Sequence, residues 1–163
     1  MTTSASCGGL SKVMSAVTAV CLALVTAGCA AFFLPEELKV DPAAVEEVHD
    51  IGTVFTRTMA DPIYGNTIQL EDILIMDVGG SGVDEALDIA RERLAQRGWK
   101  VVGASERLLV MESAKWEGTT LQAAGVDRFE SYGAERETEI LKELETDPAK
   151  ADKYLVVSLS PAK

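Results

Sequence analysis

Gly79-Gly80-Ser81-Gly82 directly follows the apolar run Ile73 to Val78 and precedes an amphipathic segment. A strand-to-helix turn of that kind can cradle phosphate. The neighbouring residues argue against it. Neither G-x-G-x-x-G nor a P-loop ending in Lys-Ser/Thr is present, and Asp84 and Glu85 fall in the first helical turn, where they repel an anion. Ser81 is expected to cap the helix instead, with Asp84 in the acidic place of a capping box. As a nucleophile Ser81 lacks the G-x-S-x-G elbow, because position 83 is Val. The single histidine, His49, lies in what reads as a spacer, so no Ser-His-Asp triad is expected. Asp77, closing the apolar run, is the strongest carboxylate candidate, and acid–base work there would need a second acid in a shared pocket. Asp84, Glu85 and Asp88 early in the next helix, with Arg91, Arg93, Arg97 and Lys100 towards its end, follow the macrodipole. Glu135, Glu137, Glu139 and Glu143 read as a solvated face, and no Asp-x-Asp-x-Asp-Gly calcium loop occurs. No catalytic residue, metal-ligand set or cofactor is therefore assigned.

Binding is a better prospect than catalysis. Residues 113 to 133 show no clear period, and structureless loops beyond ~12–15 residues are often functional. This stretch carries Trp116, Phe129 and Tyr132, residue types enriched at binding surfaces, and it is the candidate contact site for a protein or small ligand. The competing expectation is that these rings cover a sheet edge or face, with Thr119 to Leu121 as a short strand.

The cysteines Cys7, Cys21 and Cys29 are the only 3 in the chain, and all lie near its start. The stretch from Val13 to Val25 is rich in Ala, Val and Leu, and Val25-Thr26-Ala27-Gly28-Cys29 closes it with small residues before a thiol. This segment resembles the lipobox signal peptide of bacterial lipoproteins. The resemblance covers residues 1–29 and implies that residues 1–28 are removed and that Cys29 carries a diacylglyceryl group. It places the body at the cell membrane, on its extracytoplasmic face. An uncleaved anchor is the other reading. Ala30 to Leu34 extend the apolar run, no charge stands between Lys12 and Glu36, and ~20 such residues can span a bilayer.

The body beyond the leader has no further cysteine, which excludes a thiol nucleophile, a thiolate zinc site and structural disulfides. All 26 acidic residues and 14 of the 15 basic ones lie beyond Cys29, giving that part a net charge of −12. Such a body repels nucleic acid and anionic headgroups, leaving acyl chains as the membrane partner. A purely structural antigen or spacer would need neither pocket nor apolar patch.

These candidates need elements to hold them. Residues 29–50 read as a lipidated N-terminus and spacer, reaching roughly 70 Å at ~3.3 Å per residue, with a short helix opened by Asp41-Pro42. Residues 51–163 read as one domain. A strand is expected over Ile51 to Met59, turns at Asp61-Pro62 and Gly65-Asn66, and a buried strand over Ile73 to Val78. A helix over Val83 to Arg97 buries Val83, Ala86, Leu87, Ala90 and Leu94 and ends at Gly98. Trp99 to Gly103 and Arg107 to Glu112 should form a hairpin around Ala104-Ser105-Glu106. An acidic helix from Ala134 to Thr146 and a strand from Tyr154 to Ser160 close the chain. The class is α+β, a small mixed or antiparallel sheet with two helices. The order from Ile73 onward matches the ferredoxin-like β-α-β-β-α-β motif, with an extra N-terminal strand.

Overall fold

The computed structural model describes residues 35–126 and 152–162, together with Lys142, Leu144 and Thr146. In chain order the elements are β1 (Glu36–Lys39), α1 (Pro42–His49), β2 (Thr53–Ala60), β3 (Ile63–Tyr64), β4 (Thr67–Asp77), α2 (Val83–Gln96), β5 (Trp99–Ser105), β6 (Leu108–Ser113), β7 (Thr119–Gly125) and β8 (Tyr154–Pro161). Among the described residues, 8 strands form one mixed sheet accompanied by two helices, an α+β fold.

The apolar run around Ile73 makes β4 the centre of the sheet. Glu71 to Met76 are all buried, because both faces of the strand are covered. On one face Leu74 and Met76 join Leu155, Val157, Leu121 and the apolar sides of both helices in the main core. On the other face Ile73 and Ile75 meet Val156, Val126 and Leu144. Along β4, residues Glu71 to Asp77 pair antiparallel with β2 and Asp72 to Asp77 with β8. Its first four residues pair with β1 in parallel, and Thr67 and Ile68 also pair with the short strand β3.

Residues 36–50 are not a spacer. β1 is a strand of the sheet, and α1 buries Ala44, Val45 and Val48 in the main core. The sequence signals for the helix were local and hold: Asp41 accepts from the Ala43 amide at 2.8 Å, with Pro42 at the helix start. Their tertiary use was not visible, because Val45 and Val48 alone do not say what they face. The compact unit begins at Glu36.

The strand order also departs from the ferredoxin-like arrangement. β7 occupies part of the segment that showed no period, pairing with β6 on one side and β8 on the other. The path is then β1-β4-β8-β7-β6-β5, a meander from β5 to β8 that returns to β4. Thr119, Leu121 and Ala123 are buried while Thr120, Gln122 and Ala124 are less so, a period of two diluted by small side chains. The β5–β6 turn is Glu106-Arg107, one step later than expected, and Arg107 takes a left-handed φ of 61°. A register shift between Val101 and Gly103 lets β5 run on to Ser105. Of the expected acidic helix only Lys142, Leu144 and Thr146 are described; the Thr146 amide donates to the Lys142 carbonyl, one helical turn back.

Candidate functional site

Glu47, near the end of α1, joins three parts of the fold. Its Oε1 accepts hydrogen bonds from Trp99 Nε1 on β5 and Trp116 Nε1 in the β6–β7 turn, both at 3.0 Å. Its Oε2 accepts from Lys115 Nζ, and that ammonium lies 4.4 Å from the centroid of the Trp116 ring. The Glu47 side chain is only 14% exposed, so its charge depends on these partners. Burial pushes the carboxyl pKa up. The hydrogen bonds from Lys115, Trp116 and Trp99 outweigh burial and hold it below the ordinary glutamate value of 4.5. An ionised carboxylate with both oxygens engaged is a fastener rather than a proton donor.

Trp116 is thereby placed. Its ring is partly buried against the main core, and its N–H is held by Glu47, so it closes the core beneath the β6–β7 turn. The turn itself is tight, with Ser113 Oγ accepting from the Lys115 amide and the Gly118 carbonyl accepting from the Ala162 amide. Phe129 and Tyr132, like Cys29, lie outside the described residues. Glu47 and Lys115 were missed because Glu47 sits beside Glu46 on an acidic helix, the pattern of a solvated face.

The glycine-rich turn is built for packing. Asp77 Oδ1 accepts from the Gly79 amide at 2.7 Å, and Gly79 has a left-handed φ of 80°. A Cβ on Gly80 would stand 3.0 Å from the Ala86 backbone nitrogen, tighter than ordinary contact, so glycine lets the turn lie close against α2. The cap differs from expectation. Gly82 is the N-cap and makes no side-chain bond, while Ser81 donates from its amide and its hydroxyl to Glu85 Oε2 at 2.8 and 2.6 Å. Only the backward reach of a capping box is present, made by Glu85 and moved one residue outward. The Ser81 hydroxyl and amide lower the Glu85 pKa. His49 Nδ1 lies 3.7 Å from Asp50 Oδ1 at the end of α1, and Ser81 and His49 make separate contacts.

Arginines in and just after α2 also have structural work. Arg93 donates to the Ile51 carbonyl and Arg97 to those of Arg93 and Asp50, joining the end of α2 to the α1–β2 turn. On β4 the buried Asp72 accepts from Arg57 Nε and Nη2 at 2.9 and 2.6 Å.

Among the described residues, two open grooves stand out. One, of about 490 Å³, lies between α2 and the β5–β6 turn, with Asp84, Asp88, Arg91 and Arg107 among its walls. The other, of about 520 Å³, is bounded by Lys100, Val102, Glu112, Glu117 and Gly118 and so flanks the turn that Trp116 pins. Asp77 lines neither. Among the described residues no cluster of His, Cys, Asp and Glu is placed to hold a metal ion. No described helix is long and apolar enough to cross a membrane. No protein-family model, curated protein or solved structure matches this chain.

Proposed function

We propose that this chain is an exported lipoprotein, a non-enzymatic binding or accessory module held on the extracytoplasmic face of the cell membrane through a diacylated Cys29. The observation that carries the reading is Val25-Thr26-Ala27-Gly28-Cys29 at the end of a leader uncharged from Val13 onward. Two further features support it. Beyond Cys29 no thiol competes for the modification, and the strong negative charge gives the body no electrostatic hold on an anionic membrane. A binding role is favoured over catalysis because Ser81 and Glu47 spend their side-chain polar atoms on the fold and Asp77 gives one carboxylate oxygen to the Gly79 amide. The groove flanking the β6–β7 turn suits a small polar ligand or a protein loop, with Lys100, Glu112 and Glu117 supplying charges of both signs beside Val102.

Growth with a labelled fatty acid tests the anchor. The wild type should take up label and start at Cys29 when its N-terminus is sequenced, and Cys29→Ala should remain unlabelled. Equal labelling of both, or a membrane-bound form that still starts at Met1, overturns the reading. The second result would make the leader an uncleaved anchor.

A further inference from the structure

We infer that the β3–β4 hairpin is the surface on which the domain rests against the bilayer holding its own anchor, with Ile63 and Tyr64 entering the headgroup layer. This rests on lipid attachment at Cys29. Ile63 is 69% exposed and Tyr64 55%; Phe55, Met59, Val101 and Val102 are also exposed, but Ile63 and Tyr64 stand side by side at a hairpin tip. They sit on a two-residue arm that turns back at Gly65-Asn66, where Gly65 has the positive φ of 64° that suits a tight hairpin. Ile63 pairs with Ile68 and Tyr64 with Thr67, so the two side chains leave opposite faces and the tip is apolar on both.

The point where the chain enters the domain identifies what covers this tip. Glu36, the first residue of β1, pairs with Thr67, and its amide donates to the Asn66 carbonyl at 2.9 Å. Only residues 30–35 separate it from Cys29, and seven extended steps reach roughly 25 Å at most. A lipid on Cys29 therefore keeps the hairpin tip within that distance of the membrane. At such effective concentration even a weak contact is populated. The Tyr64 ring, apolar with a hydroxyl at its end, suits the interface between headgroups and acyl chains. Glu36, Glu37 and Asp61 rim the tip, Glu37 paired with Lys39 at 3.0 Å, and their charges restrict it to the headgroup layer.

The far end of the sheet supplies the control. Leu108 pairs with Ala124, Ala124 with Val156, and Val156 with Ile75, eight residues along β4 from Thr67. Glu106, in the turn just before Leu108, thus stands about 26 Å from the tip along the strands, at ~3.3 Å per residue.

The test uses the full lipidated chain in phosphatidylcholine vesicles. Ile63→Cys and Glu106→Cys each add one free thiol, since acylation and cleavage leave no other, and each takes an environment-sensitive dye. Vesicle flotation reports the anchor separately. The expected result is that both proteins float, and that only the dye at position 63 shifts to the blue and is quenched by nitroxide-bearing lipid. Flotation of both with a water-like, unquenched dye at position 63 overturns the hairpin contact and leaves the anchor standing. A blue shift at position 106 instead overturns the orientation. Failure to float overturns both readings.

Discussion

Glu47 accepts from both tryptophans of the chain, so intrinsic fluorescence reads this one carboxylate from two sides. Glu47→Ala should destabilise the fold by about 2–3 kcal/mol, the scale of losing charge-assisted bonds and leaving indole N–H groups unpaired. Glu47→Gln should cost less, because an amide oxygen can still accept from both rings. Urea unfolding followed at the tryptophan emission checks both variants. The same residue sets a pH dependence. Its pKa is lower in the fold than the 4.5 of a free glutamate, so the native state binds fewer protons in that range. Its contribution is therefore complete above about pH 4.5 and is lost as pH falls through the folded pKa. Wild type and Glu47→Gln should converge in stability as the solution is acidified below 4.5, and a constant gap would refute this account. None of this was legible in the sequence. Acid spacing marks a helix face, but only the fold brings Trp99 and Trp116 to the same oxygen.

At the scale of elements, close approach decides what a position tolerates. A Cβ on Gly52 would lie 2.5 Å from the Asp77 carbonyl oxygen, a backbone atom that cannot swing away. Gly52→Ala should therefore cost about 1–3 kcal/mol, as overpacking does, by thermal or urea melting. Gly82 has open space and an extended backbone at φ −170°, so Gly82→Ala should change stability far less and serves as the control. The first strand and helix offer a second test. A chain that starts at Glu36 should show a cooperative melt, and one that starts at Ile51 should not. The shorter chain lacks Ala44, Val45 and Val48 from the core and leaves β4 without β1. A cooperative melt from the shorter chain would restore the spacer reading. β4 and α2 were legible because each carries its own period over many residues. β7 was legible only as the alternative short strand Thr119 to Leu121, because alternation of Thr, Ala and Gly is weak until a neighbouring strand shows which face is covered.

For the molecule as a whole, the main core spans both helices and strands from β4 to β8, and no disulfide can exist beyond Cys29. A chain covering Glu36 to Lys163 should thus melt at the same temperature with and without a thiol reductant. A shift on reduction would contradict the cysteine count. The acidic balance, the absence of cysteine beyond Cys29 and the α+β class were readable directly. They depend on composition or on patterns within one segment. The tertiary structure decided the rest: that residues 36–50 belong to the domain, that the sheet is a meander closing on β4, and that the tempting Gly-Gly-Ser-Gly turn is packing. It also brought the chain's entry point to an exposed apolar hairpin. Each of these depends on which distant residue occupies the neighbouring position, and local periodicity carries a face without naming its partner.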